Sequence, residues 1–253
     1  MSHAGDLLCQ TRAADRRGGC QYGRVTSPSS TSQNIPVPTS PVVGVLGGTG
    51  EQGRGLARRL ALAGHRVVLG SRDAARAQTA AAELAVAGQV SGADNAGAAR
   101  AGDIVVVAVP WEGHRELLAS LAAELAGKVV VDCVNPLGFD KQGAYALAVE
   151  EGSAAQQAQA VLPDSRVVGA FHHVSAVLLL DETVELVNTD VLVLGDDREA
   201  TDLVQALVDS IPGMRGVFGG RLRNAHQVEA LTANLISVNR RYTAHAGLRI
   251  TDV

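Results

Sequence analysis

The chain has 253 residues, 46% hydrophobic and only 3% aromatic, so a substantial core must be built mainly from Ala, Val and Leu. A formal charge of −4 and a pI near 6.0 exclude a global attraction to nucleic acid or to an anionic membrane, so any anion site must be local. Cys9, Cys20 and Cys133 have no metal-ligand spacing and make an odd set, and no apolar run approaches the roughly 20 residues of a membrane helix. The expected setting is the reducing cytoplasm, with no metal, no nucleic acid and no membrane anchor.

Residues 1–40 show no periodic apolar pattern and end in "TSPSSTSQNIPVPTSP", whose Ser, Thr, Pro and Asn exclude helix and central strand. They read as a disordered tail, or as a translation start set too far upstream. From residue 42 the pattern changes. A short strand over 42–46 leads through glycines into a helix over 50–63, with Leu56, Leu60 and Ala63 on one face and Gly64 as its stop. A second strand covers 67–69, and an Ala-rich helix runs from Asp73 to residue 87. Continuous apolar runs at 104–109 and 129–131 read as strands buried on both faces, with a helix over 111–125 between them. Further strands are expected at 166–171 and 190–194, a helix at 198–210, and a long helix over 220–246 with Val228, Leu231, Leu235 and Val238 as its stripe. This β/α alternation predicts an α/β fold: a Rossmann-type open parallel sheet over residues 41–165, then a smaller α/β C-terminal part over 166–253.

The string Gly48-Thr49-Gly50-Glu51-Gln52-Gly53 fits G-x-G-x-x-G, a weak signal by itself in a chain with 28 glycines. Its position after a strand and at the start of a helix gives each glycine a reason: Gly48 for a tight turn, Gly50 for approach of a pyrophosphate, Gly53 for close helix–strand packing. The helix amides and dipole then face the phosphates.

In an NAD site a carboxylate about 20 residues past the glycines binds the ribose hydroxyls. Here Ser71 stands 21 positions beyond Gly50 and is followed by Arg72, with Arg76 one helical turn later. A hydroxyl and two fixed cations suit a ribose 2′-phosphate, so the site is expected to prefer NADP(H). The competing reading makes both arginines solvated partners of Asp73.

These stretches, together with "VAVPWEGH" at 107–114, "FHHVSA" at 171–176 and "RNAHQVEALTANLISVNR" at 223–240, resemble the NADPH-dependent reductases of the deazaflavin coenzyme F-420. The resemblance runs from residue 42 to the C-terminus. It implies a nucleotide domain and a smaller C-terminal part with the deazaflavin in the cleft between them. By that resemblance Thr49, Gly50, Glu51 and Gln52 contact the pyrophosphate region, and Ser71, Arg72 and Arg76 hold the 2′-phosphate. Pro110 and Trp111 end the fourth strand beside the cleft, with simple core packing as the alternative for Trp111. Asn135, Pro136 and Leu137 reach the nicotinamide end, and His172 and Ala176 lie where the two rings meet, His172 as a ring-positioning donor.

The implied reaction is hydride transfer between NADP(H) and coenzyme F-420, which requires no side-chain nucleophile and no metal. Asp103 and Asp132 read as polar strand ends; His65, His114, His173 and His226 keep open roles. The alternatives are an NADPH-dependent flavin or quinone reductase, a carbonyl or imine reductase, for which Lys128 and Lys141 are the only lysines, or a redox-sensing regulator. The long C-terminal helix suggests a homodimer.

Overall fold

The computed structural model describes residues 41–253 except 85 and 87. The tail expected over 1–40 lies outside the described residues. In chain order the first elements are β1 (Val43–Leu46), α1 (Glu51–Leu62), β2 (Val67–Ser71), α2 (Ala74–Glu83), β3 (Val90–Asp94), α3 (Asn95–Ala101), β4 (Ile104–Val107), α4 (His114–Ser120), α5 (Ala122–Leu125) and β5 (Val129–Asp132). A hairpin of β6 (Leu137–Asp140) and β7 (Gly143–Ala146) follows, then α6 (Ala154–Val161), β8 (Arg166–Gly169), α7 (Ala176–Leu180), β9 (Thr189–Gly195), α8 (Arg198–Asp209), β10 (Met214–Gly220) and α9 (Ala225–Tyr242).

Eight strands form one sheet in the order β10-β9-β8-β5-β4-β1-β2-β3. Every residue of β1, β4 and β5 is buried, because helices cover both faces. Alternate side chains divide between two apolar layers: Val43, Val45, Ile104 and Val106 join Leu56 and Leu60 of α1, while Leu46, Val105 and Val107 join Leu118 and Leu125 on the other face. The half running β3-β2-β1-β4-β5-β8 is the doubly wound Rossmann order. No helix among the described residues is long and apolar enough to cross a membrane.

The structure departs from the expected parallel sheet at one seam, where β8 and β9 pair antiparallel. The segment between them holds only the five-residue α7, which packs on α1 instead of recrossing the sheet, so β9 starts from the edge where β8 ends. The boundary expected at residue 165 falls in the turn between α6 and β8, and the sheet continues across it. The helix expected over 111–125 is broken: Gly113 takes a left-handed φ of 87°, α4 starts only after it, and a second break separates α5. The second helix ends at Glu83; the expected end at 87 lies outside the described residues. Sequence periodicity missed β3, an edge strand with only Val90 and Ala93 apolar, and the hairpin, whose Phe139 is 69% exposed. It also missed α3, α6, α7 and β10.

Two buried charges join distant segments. Arg59 of α1 donates to the carbonyls of Leu178 (2.6 Å), Leu179 (2.9 Å), Asp181 (2.9 Å) and Val184 (2.7 Å), satisfying the C-terminal end of α7. Asp190 accepts from Arg215 Nη2 and Arg249 Nη1, each at 2.6 Å, and from the Ile250 amide, which pins the C-terminal segment to β9. The Arg215 bond, foremost, holds the Asp190 carboxyl far below the usual range.

Candidate functional site

The chain leaves β1 toward β2 on one side and β4 on the other, so a crevice opens at the carboxyl ends of these strands. The glycine turn lies in it. The left-handed residue is Gly47 (φ 70°), one position before the glycine expected to make the tight turn. Gly48 is instead required by packing: a Cβ there would lie 2.5 Å from Leu69 Cδ2. A Cβ on Gly53 would meet Gly48 Cα at 2.8 Å, which is the close helix–strand approach expected of it. Gly50 differs, since its Cβ would meet only the Gly47 oxygen at 3.6 Å. Among the described residues nothing requires a glycine there, and the open space is what a ligand lying on the backbone would need. Gly50 is also the N-cap of α1 and supplies no side-chain cap, leaving the first-turn amides open toward the crevice.

At the end of β2, Ser71 is buried and its Oγ accepts from the Asp73 amide at 3.3 Å. The Asp73 carboxylate caps α2 through the Ala75 amide at 2.9 Å, and Asp94, beside Ser71 in register, caps α3 through Gly97 at 2.6 Å. Arg72 and Arg76 are exposed and make no ion pair among the described residues, so the competing pairing with Asp73 is absent. A shallow cavity of about 370 Å³ joins Thr49 to Arg76, with Arg54, Thr79 and Glu83 on its wall.

A second cavity, of about 350 Å³, gathers Gly50, Glu51 and Gln52 from the glycine turn, Pro110 from the end of β4, Asn135 from beyond β5, and His172. His172 is 3% exposed, and among the described residues its ring nitrogens make no hydrogen bond of full geometry, the nearest acceptors being the Cys133 and Val134 backbone carbonyls. Burial pushes its pKa down to about 4, so the ring is neutral at physiological pH and offers one donor and one acceptor. Asn135 Oδ1 is likewise buried and unpartnered. Such orphaned groups on a cavity wall suit a polar heterocycle. His173 differs: its Nε2 accepts from the Leu192 amide at 3.4 Å, within the core.

Of the residues expected at the ring end, Trp111, Pro136, Leu137 and Ala176 do not line this cavity. Trp111 packs beside the His114 ring with centroids 5.6 Å apart, Leu137 opens the hairpin, and Ala176 opens α7. Conversely, Thr232 of α9 lines the cavity and donates to the His172 carbonyl at 3.0 Å, which Asn135 Nδ2 also reaches at 2.7 Å. Sequence reasoning missed Thr232, which lies between the apolar stripe positions of its helix. It also missed Phe171, a buried non-glycine residue at φ 63° immediately before His172. A left-handed phenylalanine stores about 1–3 kcal/mol, and such strain concentrates at functional sites.

A glycine turn at the switch point, an uncapped helix start and a cavity at the strand ends that holds His172 and Asn135 fit one class: a Rossmann-type dinucleotide-dependent oxidoreductase. The family described as "NADP oxidoreductase coenzyme F420-dependent" matches residues 42–136. The chain is 39% identical over 221 residues to the F420-dependent NADP reductase of Methanothermobacter marburgensis, covering 83% of this chain and 98% of that one. It is 35% identical to the enzyme of the same name from Methanocaldococcus jannaschii, with the same coverage. A crystal structure of a candidate F420-dependent NADP-reductase from Arthrobacter sp. FB24 superposes with a TM-score of 0.71 at 28% identity, covering 83% of this chain and 98% of that one. The chain belongs to the F420-dependent NADP reductase family and is an NADP-dependent oxidoreductase.

Proposed function

We propose that the chain transfers a hydride between NADP(H) and coenzyme F-420, with both rings meeting in the cavity walled by Gln52, Pro110, Asn135, His172 and Thr232. The observation that carries this reading is the convergence of the glycine turn, the ends of β4 and β5 and the His172 ring on one cavity. The bound carriers supply hydride donor and acceptor themselves. The chain supplies placement. Gly48, Thr49, Gly50, Glu51, Gln52 and Gly53 form the pyrophosphate cradle, and Ser71, Arg72 and Arg76 hold the 2′-phosphate. Pro110 and Asn135 border the ring end, where the neutral His172 donates to or accepts from a ring edge, while Trp111, Leu137 and Ala176, which the resemblance adds, stand outside the cavity wall. The division at residue 165 is functional in this reading: 41–165 holds the nucleotide, and 166–253 closes over the second carrier.

The chain acts in the cytoplasm, binds no nucleic acid and works as a homodimer, with the half-buried Leu231 and Leu235 and the exposed Val238 of α9 toward the second copy. A monomer mass by light scattering at micromolar concentration rejects the dimer. The reaction is tested by mixing purified protein with NADPH and oxidised coenzyme F-420, and separately with free flavin, and following absorbance loss. Loss with the deazaflavin alone is the expected result. Turnover of flavin alone would overturn the assignment in favour of a flavin reductase.

A further inference from the structure

We infer that His114, Asp132 and Glu229, a buried trio outside the cavity, position its ring end by fixing the two side chains that clasp the His172 carbonyl. The inference rests on reading that cavity as the meeting place of the two carriers. His114 and Asp132 are 0% exposed and Glu229 is 2% exposed, and none of the three lines the cavity. Burying such groups costs several kcal/mol each unless geometry and hydrogen bonds compensate. Here they do.

His114 Nε2 lies 2.7 Å from Asp132 Oδ2, and Nδ1 lies 3.0 Å from Gln157 Oε1. Gln157 is oriented by its own Nε2, which donates to Glu151 Oε2 at 3.2 Å, so its oxygen must face the ring. Both imidazole nitrogens therefore donate, as in an imidazolium. Burial opposes that charge, but Asp132, Gln157 and Glu229 together outweigh it and raise the His114 pKa. The other charged groups at this cluster are Glu151 and its partner Arg115.

Each acid leads to one cavity side chain. Asp132 Oδ1 accepts from the Val134 amide at 3.0 Å, shaping the turn that delivers Asn135. Glu229 accepts from the amides of Ala154 (2.9 Å) and Ala155 (3.1 Å), seating α9 on the start of α6. Thr232 follows Glu229 by three residues and so shares its helix face. Asn135 and Thr232 then donate to one oxygen, the His172 carbonyl. Three loops and a helix, remote in sequence, are thereby set against one another through a single buried ion pair and one carboxylate. The three residues are positioning residues; they act on the reaction only through Asn135, His172 and Thr232.

His114→Gln and Glu229→Gln are each compared with the wild-type chain by kinetics, NADPH titration and amide hydrogen exchange. Expected is a KM for coenzyme F-420 raised on the order of tenfold or more, as small misplacements of reacting groups allow, with the NADPH Kd unchanged. Exchange should accelerate at residues 133–135, 172–174 and 229–233 but not at 44–60. The wild-type KM should also rise on the alkaline side as His114 loses its proton, and His114→Gln should flatten that limb. An unchanged KM, or equal losses at both carriers, overturns the inference. If His114→Gln does not fold, Glu229→Gln decides by the same criteria. A wild-type chain that moves no hydride to the deazaflavin overturns the functional reading alone, while the exchange pattern still decides whether the trio holds this wall.

Discussion

The two ends of the proposed cofactor cleft are built from different materials. The phosphate end is backbone and exposed charge: Gly47 to Gly53, the open first turn of α1, and two solvent-facing arginines, all within 30 residues of sequence. The ring end is assembled from the segments after β4, β5 and β8 and from α9, braced by buried side chains of α4, β5 and α9 and joined by hydrogen bonds between residues 37 to 75 positions apart. The first end needs only local geometry; the second exists only once the sheet is assembled. Binding strength should therefore respond to changes at the first end, and ring alignment and pH response to changes at the second.

The largest separation should appear with acid. Burial pushes His172 and His173 down to about 4, so the unfolded chain binds more protons between there and 6.5, and each histidine removes on the order of 3 kcal/mol of stability as pH falls through that window. Glu229, pushed up to about 7 by burial, acts oppositely between 4.5 and 7, and His114 stabilises below 6.5 and loses that contribution above it. Together these groups place their combined optimum near pH 6.5. Thermal midpoints measured from pH 4 to 8 check this; a midpoint that stays level from 6.5 to 4 breaks the picture. At the phosphate end, Gly53→Ala should cost about 1–3 kcal/mol of stability by overpacking and also abolish tight NADPH binding, whereas Gly50→Ala should leave the melting curve intact and weaken NADPH only. Calorimetry beside fluorescence titration separates the two.

Arg72→Ala should weaken NADPH by about one to two orders of magnitude, the worth of one charge-assisted hydrogen bond, and leave NADH unaffected. Equal losses for both nucleotides would refute the 2′-phosphate role. The smallest effect belongs to Asn135→Ala, which removes one neutral hydrogen bond to the His172 carbonyl and should cost about 1 kcal/mol in stability. Its kinetic cost should fall on the deazaflavin KM and not on NADPH affinity.

This contrast also explains what could be read from residues alone. The fold of the nucleotide half was legible because its signals are short-range: apolar runs buried on both faces and a glycine turn between strand and helix. At the ring end, resemblance pointed to Pro110, Asn135 and His172, which the structure gathers at one cavity, and also to Trp111, Pro136, Leu137 and Ala176, which it does not. Thr232 and the His114–Asp132 pair gave no local signal, since a lone threonine on a helix and an aspartate closing a strand acquire meaning only from partners supplied by the fold. The antiparallel seam at β8 and β9 was hidden for a related reason: whether a connection recrosses a sheet depends on where α7 finds its packing partner, and that partner, α1, lies more than 100 residues away.

Arg59 carries a mechanical consequence. Its guanidinium grips four carbonyls at the exit of α7, and Gly55, where a Cβ would stand 2.6 Å from Leu179 Cβ, leaves no slack between the two helices. The two helices are thus clamped as one rigid body, so α1 and α7 should shift together or not at all.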